Sequence, residues 1–207
     1  VTATTNPAPS FGLIDRALVA AYDAGVRPVL IVTKTDLVAP DELRRMYAPL
    51  DFEMFEVSDR QPPLALQQAL ADGVTVVVGH SGVGKSTLVN NLVPGTDRST
   101  GRVNAVTGKG RHTSTSVRAI ALPGGGWIID TPGIRSFGLA HVDIGRVITA
   151  FPDLAAGTEH CPRACSHDEP DCALTVWAEG QEPGVRERLA SMRRLLAGRS
   201  ATTEWSD

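Results

Sequence analysis

The chain is short of cysteine, of long apolar runs and of net positive charge, and each shortage excludes a class of protein. Its 207 residues include 3 cysteines, all between positions 161 and 172, too few and too clustered for a disulfide framework. No stretch approaches the roughly 18 apolar residues of a membrane-spanning helix, and no signal peptide is visible, so we expect no membrane partner. The formal net charge of −3 excludes a global basic field, so contact with nucleic acid would need a local patch.

Segments of helical spacing alternate along the chain with β-branched runs. Hydrophobic residues make up 42% of the sequence, enough for the core of one domain with a small appendage. We predict helices over 11–24, 41–47, 62–71, 86–92 and 183–197, with strands over 28–32, 53–57, 74–78, 113–122 and 127–129. The alternation predicts an α/β fold, a mostly parallel sheet with helices on both faces.

The most specific motif follows the strand predicted at 74–78. Residues 79–86 read G-x-x-x-x-G-K-S, the phosphate-binding loop (P-loop) of nucleotide triphosphatases. Its glycines let backbone N–H groups turn toward phosphate oxygens, Lys85 reaches the β- and γ-phosphates, and the Ser86 hydroxyl can ligate Mg²⁺. Because such nucleotides are found inside cells, we expect a cytoplasmic protein. The predicted phosphate-binding residues are Gly79, His80, Ser81, Gly82, Val83, Gly84, Lys85, Ser86 and Thr87.

A second motif, D-x-x-G, follows the strand predicted at 127–129. Beside a P-loop, its Asp130 is predicted to hold the Mg²⁺ shell, and the Gly133 N–H can meet the γ-phosphate. A threonine in the run at 113–115 is expected to complete the Mg²⁺ ligands, and spacing leaves Thr113 and Thr115 as alternatives. Ile134 occupies the position where Ras-type enzymes carry a water-orienting Gln, which predicts slow intrinsic turnover.

The tetrapeptide at 33–36 indicates which base is bound. Thr33-Lys34-Thr35-Asp36 is similar to N-K-x-D, in which the carboxylate accepts from the ring N–H and the exocyclic amine of guanine. The Lys34 stem can lie across the base plane, and Thr33 replaces the usual Asn. Ser58 lies where GTPases place a small residue whose backbone meets guanine O6.

The order of these motifs differs from that of an ordinary GTPase. The base-reading motif precedes the P-loop and D-x-x-G instead of following them, which predicts a circular permutation of the same sheet. The strand that should stand before the helix at 11–24 is reduced to residues 1–3. We expect either that the chain begins inside this strand or that upstream residues are missing.

The cysteines lie in a pattern typical of a metal site. Cys161, Cys165, His167 and Cys172 give C-x₃-C-x-H-x₄-C, a ligand set for one structural Zn²⁺ per chain in tetrahedral coordination. His160 is a competing candidate for the imidazole ligand.

Together these features resemble the RsgA (YjeQ) family of circularly permuted GTPases. The resemblance rests on LIDR at 13–16, TKTDL at 33–37, GHSGVGKSTLVN at 79–90, GRHTST at 110–115, DTPGIRSFGL at 130–139 and the cysteine cluster. It implies a GTPase domain over 1–142, a C-terminal zinc-binding helical domain over 143–207, and an N-terminal OB-fold domain that these residues do not include. It also implies binding of GTP and GDP by a monomer that associates with the small ribosomal subunit and its rRNA, acts late in subunit assembly, and is stimulated by the subunit.

Two further expectations concern catalysis and RNA. His112 precedes the threonine run and, together with Lys85, is the predicted catalytic group; its imidazole can accept a hydrogen bond from the attacking water. Basic residues in the segment 98–118 and in the last helix are expected to face rRNA phosphates: Arg98, Arg102, Lys109, Arg111, Arg118, Arg186, Arg188, Arg193 and Arg194.

Two alternatives come from other classes of protein. An ATP-dependent enzyme such as a kinase can carry the same P-loop, and Asp36 argues against it because adenine lacks the donor pair. A nucleotide-independent RNA-binding module built on the zinc segment is the other, and undetectable nucleotide binding would favour it.

Overall fold

A computed structural model of the chain describes residues 1–95, 118–130, 143–169 and 171–200. The strands in these ranges are β1 (Thr2–Ala3), β2 (Val29–Thr33), β3 (Glu53–Val57), β4 (Val74–Val77), β5 (Arg118–Ala121) and β6 (Trp127–Asp130). The helices are α1 (Phe11–Asp23), α2 (Asp41–Tyr47), α3 (Leu64–Leu70), α4 (Lys85–Leu92), α5 (Ile144–Thr149), α6 (Pro152–Ala155), α7 (Ala173–Glu179) and α8 (Pro183–Ser200), with a 3-10 helix over Ala156–His160.

Most predicted elements are found within a few residues of their expected bounds. The strand predicted over 113–122 corresponds to β5, and residues 113–117 lie outside the described ranges. Helix α7 was not predicted, because its seven residues directly follow the cysteine cluster and are too few to establish a period. Helix α8 continues through Ser200, three residues beyond the predicted end.

Two three-stranded sheets carry the strands. Strands β1, β2 and β3 are parallel neighbours in that order, and β4 lies parallel to β6, which pairs antiparallel with β5. Parallel neighbours need long crossovers, and here α1, α2 and α3 lie between successive strands of the chain. The mixed α/β architecture expected from the alternation of elements is therefore confirmed.

Contacts divide the chain into two compact units. The first contains residues 1–10, 29–40 and the described part of 53–136, and the second contains 11–28, 41–52 and the described part of 137–207. Helices α1 and α2 thus belong with the C-terminal segment. The domain boundary expected between residues 142 and 143 remains a prediction.

The core of the first unit lies between the strands and helices α3 and α4. Its buried residues are Ile31, Val57, Leu66, Leu70, Val77, Leu88, Val89, Leu92, Leu122 and Ile128. The strand β4 was expected to be buried throughout, but it buries one face. Since successive side chains of a strand point to opposite faces, Val77 enters this core while Val74 and Val76 are 64% and 53% exposed.

The second unit combines an apolar core with a buried polar cluster. The core includes Phe151, Leu154, Leu174, Met192 and Leu195, each at most 1% exposed. The polar cluster joins three helices: the Tyr47 hydroxyl of α2 donates to the Asp15 carboxylate of α1 (2.8 Å), and Arg194 of α8 lies 3.5 Å from the same oxygen. Desolvation raises the pKa of Asp15, so the hydrogen bond and the guanidinium offset a cost of burial.

Gly157 marks the tightest contact in the second unit. It is buried in the 3-10 helix, and a Cβ placed on it would lie 2.5 Å from Trp177 Cε3 and 2.8 Å from Leu174 Cδ2. A methyl group there would have to displace side chains of α7, which pack in the core.

We predict that Gly157→Ala lowers the free energy of unfolding by about 1–3 kcal/mol, because the added carbon overpacks a closed site. Chemical denaturation measures this change. Gly184→Ala is the matched control, since nothing lies within 4 Å of a Cβ at that position of α8. Equal destabilisation by both substitutions would contradict the packing account.

Candidate functional site

The P-loop joins β4 to α4, as its sequence predicted. Gly84 caps α4 in the left-handed region, with φ of 94°, a conformation that residues with a Cβ rarely adopt. A Cβ on Gly79 would collide with the backbone carbonyl of Val1, so the chain there admits only glycine. Ser86 and Thr87 lie in the first turn of α4, where N–H groups lack partners within the helix.

The side chain of Lys85 folds back across this loop. Its ammonium donates to the carbonyl oxygens of Gly79 and His80, the latter at 2.6 Å. Burial lowers the pKa of Lys85, because the charged form is partly desolvated. A half-buried cation among backbone groups at a helix N-terminus fits an anionic phosphate, which would stabilise the charge that burial disfavours.

Thr33 connects the base-reading motif to the P-loop. Its hydroxyl is buried, donates to the Val83 carbonyl at 2.6 Å, and lies 3.2 Å from the Thr2 carbonyl. A hydroxyl has one proton and therefore satisfies the nearer acceptor, whereas an Asn amide has two donor hydrogens. With Thr in place of the usual Asn, position 33 thus makes one short hydrogen bond to the P-loop.

Lys34 makes a second connection between the same segments. Its ammonium donates to the carbonyls of Thr5 (3.2 Å), Asn6 and Gly82 (3.1 Å). The Lys34 backbone is left-handed, with φ of 61°, and its own carbonyl accepts from the Thr4 hydroxyl at 2.8 Å. These bonds fix both ends of the residue whose stem is expected to cover the base.

Asp36 and Ser58 are brought together at the exposed side of the motif. The Asp36 carboxylate accepts from the Asp59 N–H at 3.1 Å, and the turn that holds Asp59 closes through a 2.8 Å bond from the Gln61 N–H to the Ser58 carbonyl. A backbone N–H thus orients the Asp36 carboxylate. A carboxylate would accept hydrogen bonds from the N–H groups of a base in the same way.

Other predicted nucleotide and magnesium residues are only partly described. The pairing of β4 with β6 places Asp130 opposite Val77, two residues before the P-loop begins. Gly133, His112, Thr113 and Thr115 lie outside the described residues, as do Ile134 and the basic residues at 98, 102, 109 and 111.

The predicted zinc ligands converge in the second unit. The ligand atoms of Cys161, Cys165, His167 and Cys172 all lie within 4.8 Å of one another. The Cys161 and Cys172 sulfurs are 3.9 Å apart, and His167 Nδ1 lies 3.7 Å and 3.8 Å from them. Tetrahedral ligands at a Zn–S distance of about 2.3 Å would be about 3.8 Å apart, so the cluster fits the ion. His160, the competing candidate, is exposed and does not belong to this cluster.

Glu169 organises the loop between these ligands and was not predicted. Its carboxylate accepts two 3.0 Å bonds from the Ser166 N–H and a 3.3 Å bond from the Cys165 thiol. The backbone bond from Ser166 lowers the pKa of Glu169 to about 2, while desolvation raises the pKa of the Cys165 thiol to about 12. The sequence offered no signal for Glu169, because acidic residues are common in exposed loops.

Comparison with known sequences decides the family. A family profile described as "RsgA GTPase" matches residues 1–140, which include the base-reading motif, the P-loop and D-x-x-G. The chain belongs to the RsgA GTPase family. The family expected from the motifs is confirmed.

Two relatives carry the printed name "Small ribosomal subunit biogenesis GTPase RsgA". The protein of Azotobacter vinelandii is 46% identical over 203 residues, 92% of this chain and 58% of the relative. The protein of Pseudomonas aeruginosa strain LESB58 is 44% identical over 210 residues, 95% of this chain and 61% of the relative. The chain therefore spans about three fifths of the length of these RsgA relatives.

Solved structures support the permuted fold. "Crystal structure of YjeQ from Thermotoga maritima" aligns with a TM-score of 0.62 at 25% identity, covering 96% of this chain and 70% of that one. YloQ, whose title reads "a circularly permuted GTPase", aligns with a TM-score of 0.59 at 23% identity, covering 97% and 68%. The circularly permuted α/β class predicted from motif order is confirmed for this RsgA family member.

The last helix of this RsgA family member uses its arginines differently from the sequence expectation. Arg188 pairs with Asp153 at 2.7 Å, Arg194 with Asp15, and Arg193 donates to the His167 carbonyl at 2.7 Å. Of the four arginines expected to face rRNA there, Arg186 is exposed. The guanidinium groups of the other three are engaged within their own unit, and contact of these residues with rRNA stays a prediction. Among the described residues, no helix combines the length and apolar character that crossing a membrane requires.

We predict that Thr33→Val lowers the free energy of unfolding by about 1–2 kcal/mol, because the Val83 carbonyl loses a short buried hydrogen bond. We also expect weaker GDP binding, since the P-loop is less firmly positioned. Denaturant unfolding and GDP titration measure the two effects. Thr5→Val is the control, because the described residues provide no partner for the Thr5 hydroxyl. Wild-type stability and GDP affinity in Thr33→Val would rule out this role.

Proposed function

We propose that this chain is the nucleotide-hydrolysing part of a GTPase that acts in biogenesis of the small ribosomal subunit. The observation that carries the proposal is the pair of links from Thr33 and Lys34 to the P-loop backbone at Val83 and Gly82. Base-reading and phosphate-binding segments 50 residues apart in sequence thereby form one site. The printed names of the RsgA relatives supply the biological setting.

The proposed binding mode divides the nucleotide between two segments. The N–H groups of residues 79–87 and the Lys85 ammonium receive the phosphates. The Asp36 carboxylate accepts from the two guanine N–H groups, the Lys34 stem covers the base, and the Ser58 turn borders it. Adenine offers no such donor pair, so Asp36 selects guanine.

The proposed reaction is an in-line attack of water on the γ-phosphorus. A new O–P bond forms as the bond from the γ-phosphorus to the β–γ bridging oxygen breaks, its electrons leave with GDP, and the proton of water ends on phosphate. Lys85 and the P-loop N–H groups stabilise the charge that develops on the phosphoryl oxygens. When bound, Mg²⁺ neutralises part of the same charge, and we assign its ligation to Ser86, Asp130 and either Thr113 or Thr115.

Water positioning is assigned to His112. Ile134 is apolar and cannot orient water, whereas a neutral imidazole accepts a hydrogen bond at physiological pH. His112 directly precedes the threonine run that is proposed to approach Mg²⁺, which supports this role.

The cysteine cluster is proposed to hold one structural Zn²⁺ through Cys161, Cys165, His167 and Cys172. Four protein ligands close the coordination shell, which leaves no position for substrate and excludes a catalytic role. Because a metal site forms only when its ligands are gathered, the ion would stabilise a segment with little apolar surface.

The proposed partner is the small ribosomal subunit with its rRNA. We propose that the chain binds it as a monomer in the cytoplasm and binds no membrane. The cations Arg98, Arg102, Lys109, Arg111 and Arg118 are assigned to rRNA phosphates, with Arg186 as the exposed contributor from α8. Such contacts weaken as salt rises, because binding releases counterions.

Measuring GTP turnover with and without purified small subunits tests the function directly; equal rates would contradict stimulation.

We predict that Asp36→Asn loses about 2–5 kcal/mol of GDP binding free energy, because one charged partner of paired hydrogen bonds is removed. ADP binding should stay as weak as in the wild type. Xanthosine diphosphate should regain affinity, since its extra carbonyl can accept from the introduced amide. Asp72→Asn is the control, an exposed carboxylate at the opposite end of β4 from the P-loop. Unchanged GDP affinity in Asp36→Asn would refute guanine selection by this residue.

We predict that His112→Ala keeps GTP binding and association with the small subunit but lowers subunit-stimulated turnover by about 10²–10⁴-fold, the usual contribution of a positioned acid–base group. Single-turnover GTP hydrolysis with purified subunits measures the effect. His160→Ala is the control, an exposed histidine outside the zinc cluster. Wild-type stimulated turnover in His112→Ala would show that another group positions the water.

A further inference from the structure

Arg193 of α8 contacts the metal-ligand loop from outside the cluster. Its Nε donates to the His167 carbonyl at 2.7 Å, and one terminal nitrogen donates to the Thr175 hydroxyl at 2.8 Å. His167 is one of the four clustered ligands. Thr175 lies in the first turn of α7, the helix capped by Cys172, which is another of the ligands. One guanidinium group therefore contacts both His167 and the first turn of α7, the helix that Cys172 caps.

The first contact of Arg193 is with His167, whose backbone is in an unfavourable conformation. The φ of His167 is 65°, in the left-handed region that is unfavourable for a residue with a Cβ. The side chain is nevertheless buried, and its Nδ1 points between the sulfurs of Cys161 and Cys172. A conformation of this kind persists only where surrounding contacts hold it, and the bond from Arg193 to the His167 carbonyl is such a contact.

The second contact of Arg193 is with Thr175, in the turn of α7 that follows Cys172. The Thr175 N–H bonds to the Cys172 carbonyl at 3.0 Å, so the first turn of α7 and the buried Cys172 move together. Binding of the Thr175 hydroxyl by Arg193 ties this turn to α8. Met192 and Leu195, which precede and follow Arg193 on α8, are fully buried, so this part of the helix is anchored in the core of the second unit.

We propose that Arg193 is a positioning residue for the metal site: it holds His167 and the Cys172 turn in the geometry that binds Zn²⁺. This inference rests on the proposed zinc site. It separates Arg193 from the rRNA-facing arginines, because its donors are directed at a backbone carbonyl and a hydroxyl of its own chain. The fork shape of the guanidinium lets one group bind both acceptors, whereas the single nitrogen of an ammonium is expected to bind one of them.

The experiment measures Zn²⁺ affinity of the full chain by competition with a chromogenic chelator, together with the visible absorption of the Co²⁺-substituted protein. For Arg193→Ala we expect affinity to fall about 10–100-fold, the usual effect of removing a group that orients a metal ligand. Arg193→Lys should recover part of the loss. Arg186→Ala is the matched control, an exposed arginine on the same helix, and should bind Zn²⁺ as the wild type does.

Thr175→Val keeps shape and removes one acceptor, so it tests the same role if Arg193→Ala fails to fold. We expect a smaller loss of affinity and a shifted Co²⁺ spectrum. Wild-type affinity and spectrum in Arg193→Ala, or in Thr175→Val where Arg193→Ala is unfolded, would overturn the positioning role while leaving the zinc site intact. A wild-type chain that takes up no Zn²⁺ would overturn the proposed zinc site and this inference with it.

Discussion

The hydrogen bond from the Thr33 hydroxyl to the Val83 carbonyl holds the base-reading segment against the P-loop. In this chain the base-reading segment and the P-loop are 50 residues apart, so covalent continuity does not place them side by side. The bond, with the three bonds from the Lys34 ammonium, provides that placement through side chain-to-backbone contacts. A site assembled in this way is insensitive to where the chain is cut, provided that the strands keep their neighbours.

The division into two units assigns the base-reading motif and the helices beside it in sequence to different units. Helices α1 and α2, which precede and follow β2 and the base-reading motif, belong to the unit that contains α8 and the cysteine–histidine cluster. Asp15 on α1 and Tyr47 on α2 share a hydrogen bond, and Arg194 lies against both groups. Removing a guanidinium from a buried carboxylate typically costs several kcal/mol. The C-terminal helix is therefore part of the support for the helices that flank the motif in sequence.

The strand, loop and helix of the P-loop could be predicted from sequence because their signals are local. A β-branched run, a glycine-rich loop and a helix occur within one window, and the structure shows β4, the loop and α4 in that order. The clustering of Cys161, Cys165, His167 and Cys172 was likewise predicted from spacing. The arginines of α8 could not be assigned in this way, since Arg188 pairs with Asp153, 35 residues away, and also donates to the Pro49 carbonyl, 139 residues away. Composition cannot distinguish such a residue from a solvated one.

Several lysines and arginines of this chain share one kind of acceptor, the backbone carbonyls of loops. A backbone carbonyl in a loop has no ladder partner and accepts a hydrogen bond from water or from a side-chain donor. Here lysine and arginine supply it: Lys34 at Gly82, Lys85 at His80, Arg193 at His167. Hydrogen bonds from charged donors contribute about 1.5–3 kcal/mol each, more than neutral ones, so a few of them can hold a loop that buries little apolar surface. These cations donate to carbonyls of their own chain, so a count of Lys and Arg does not by itself measure the positive charge that is available to RNA.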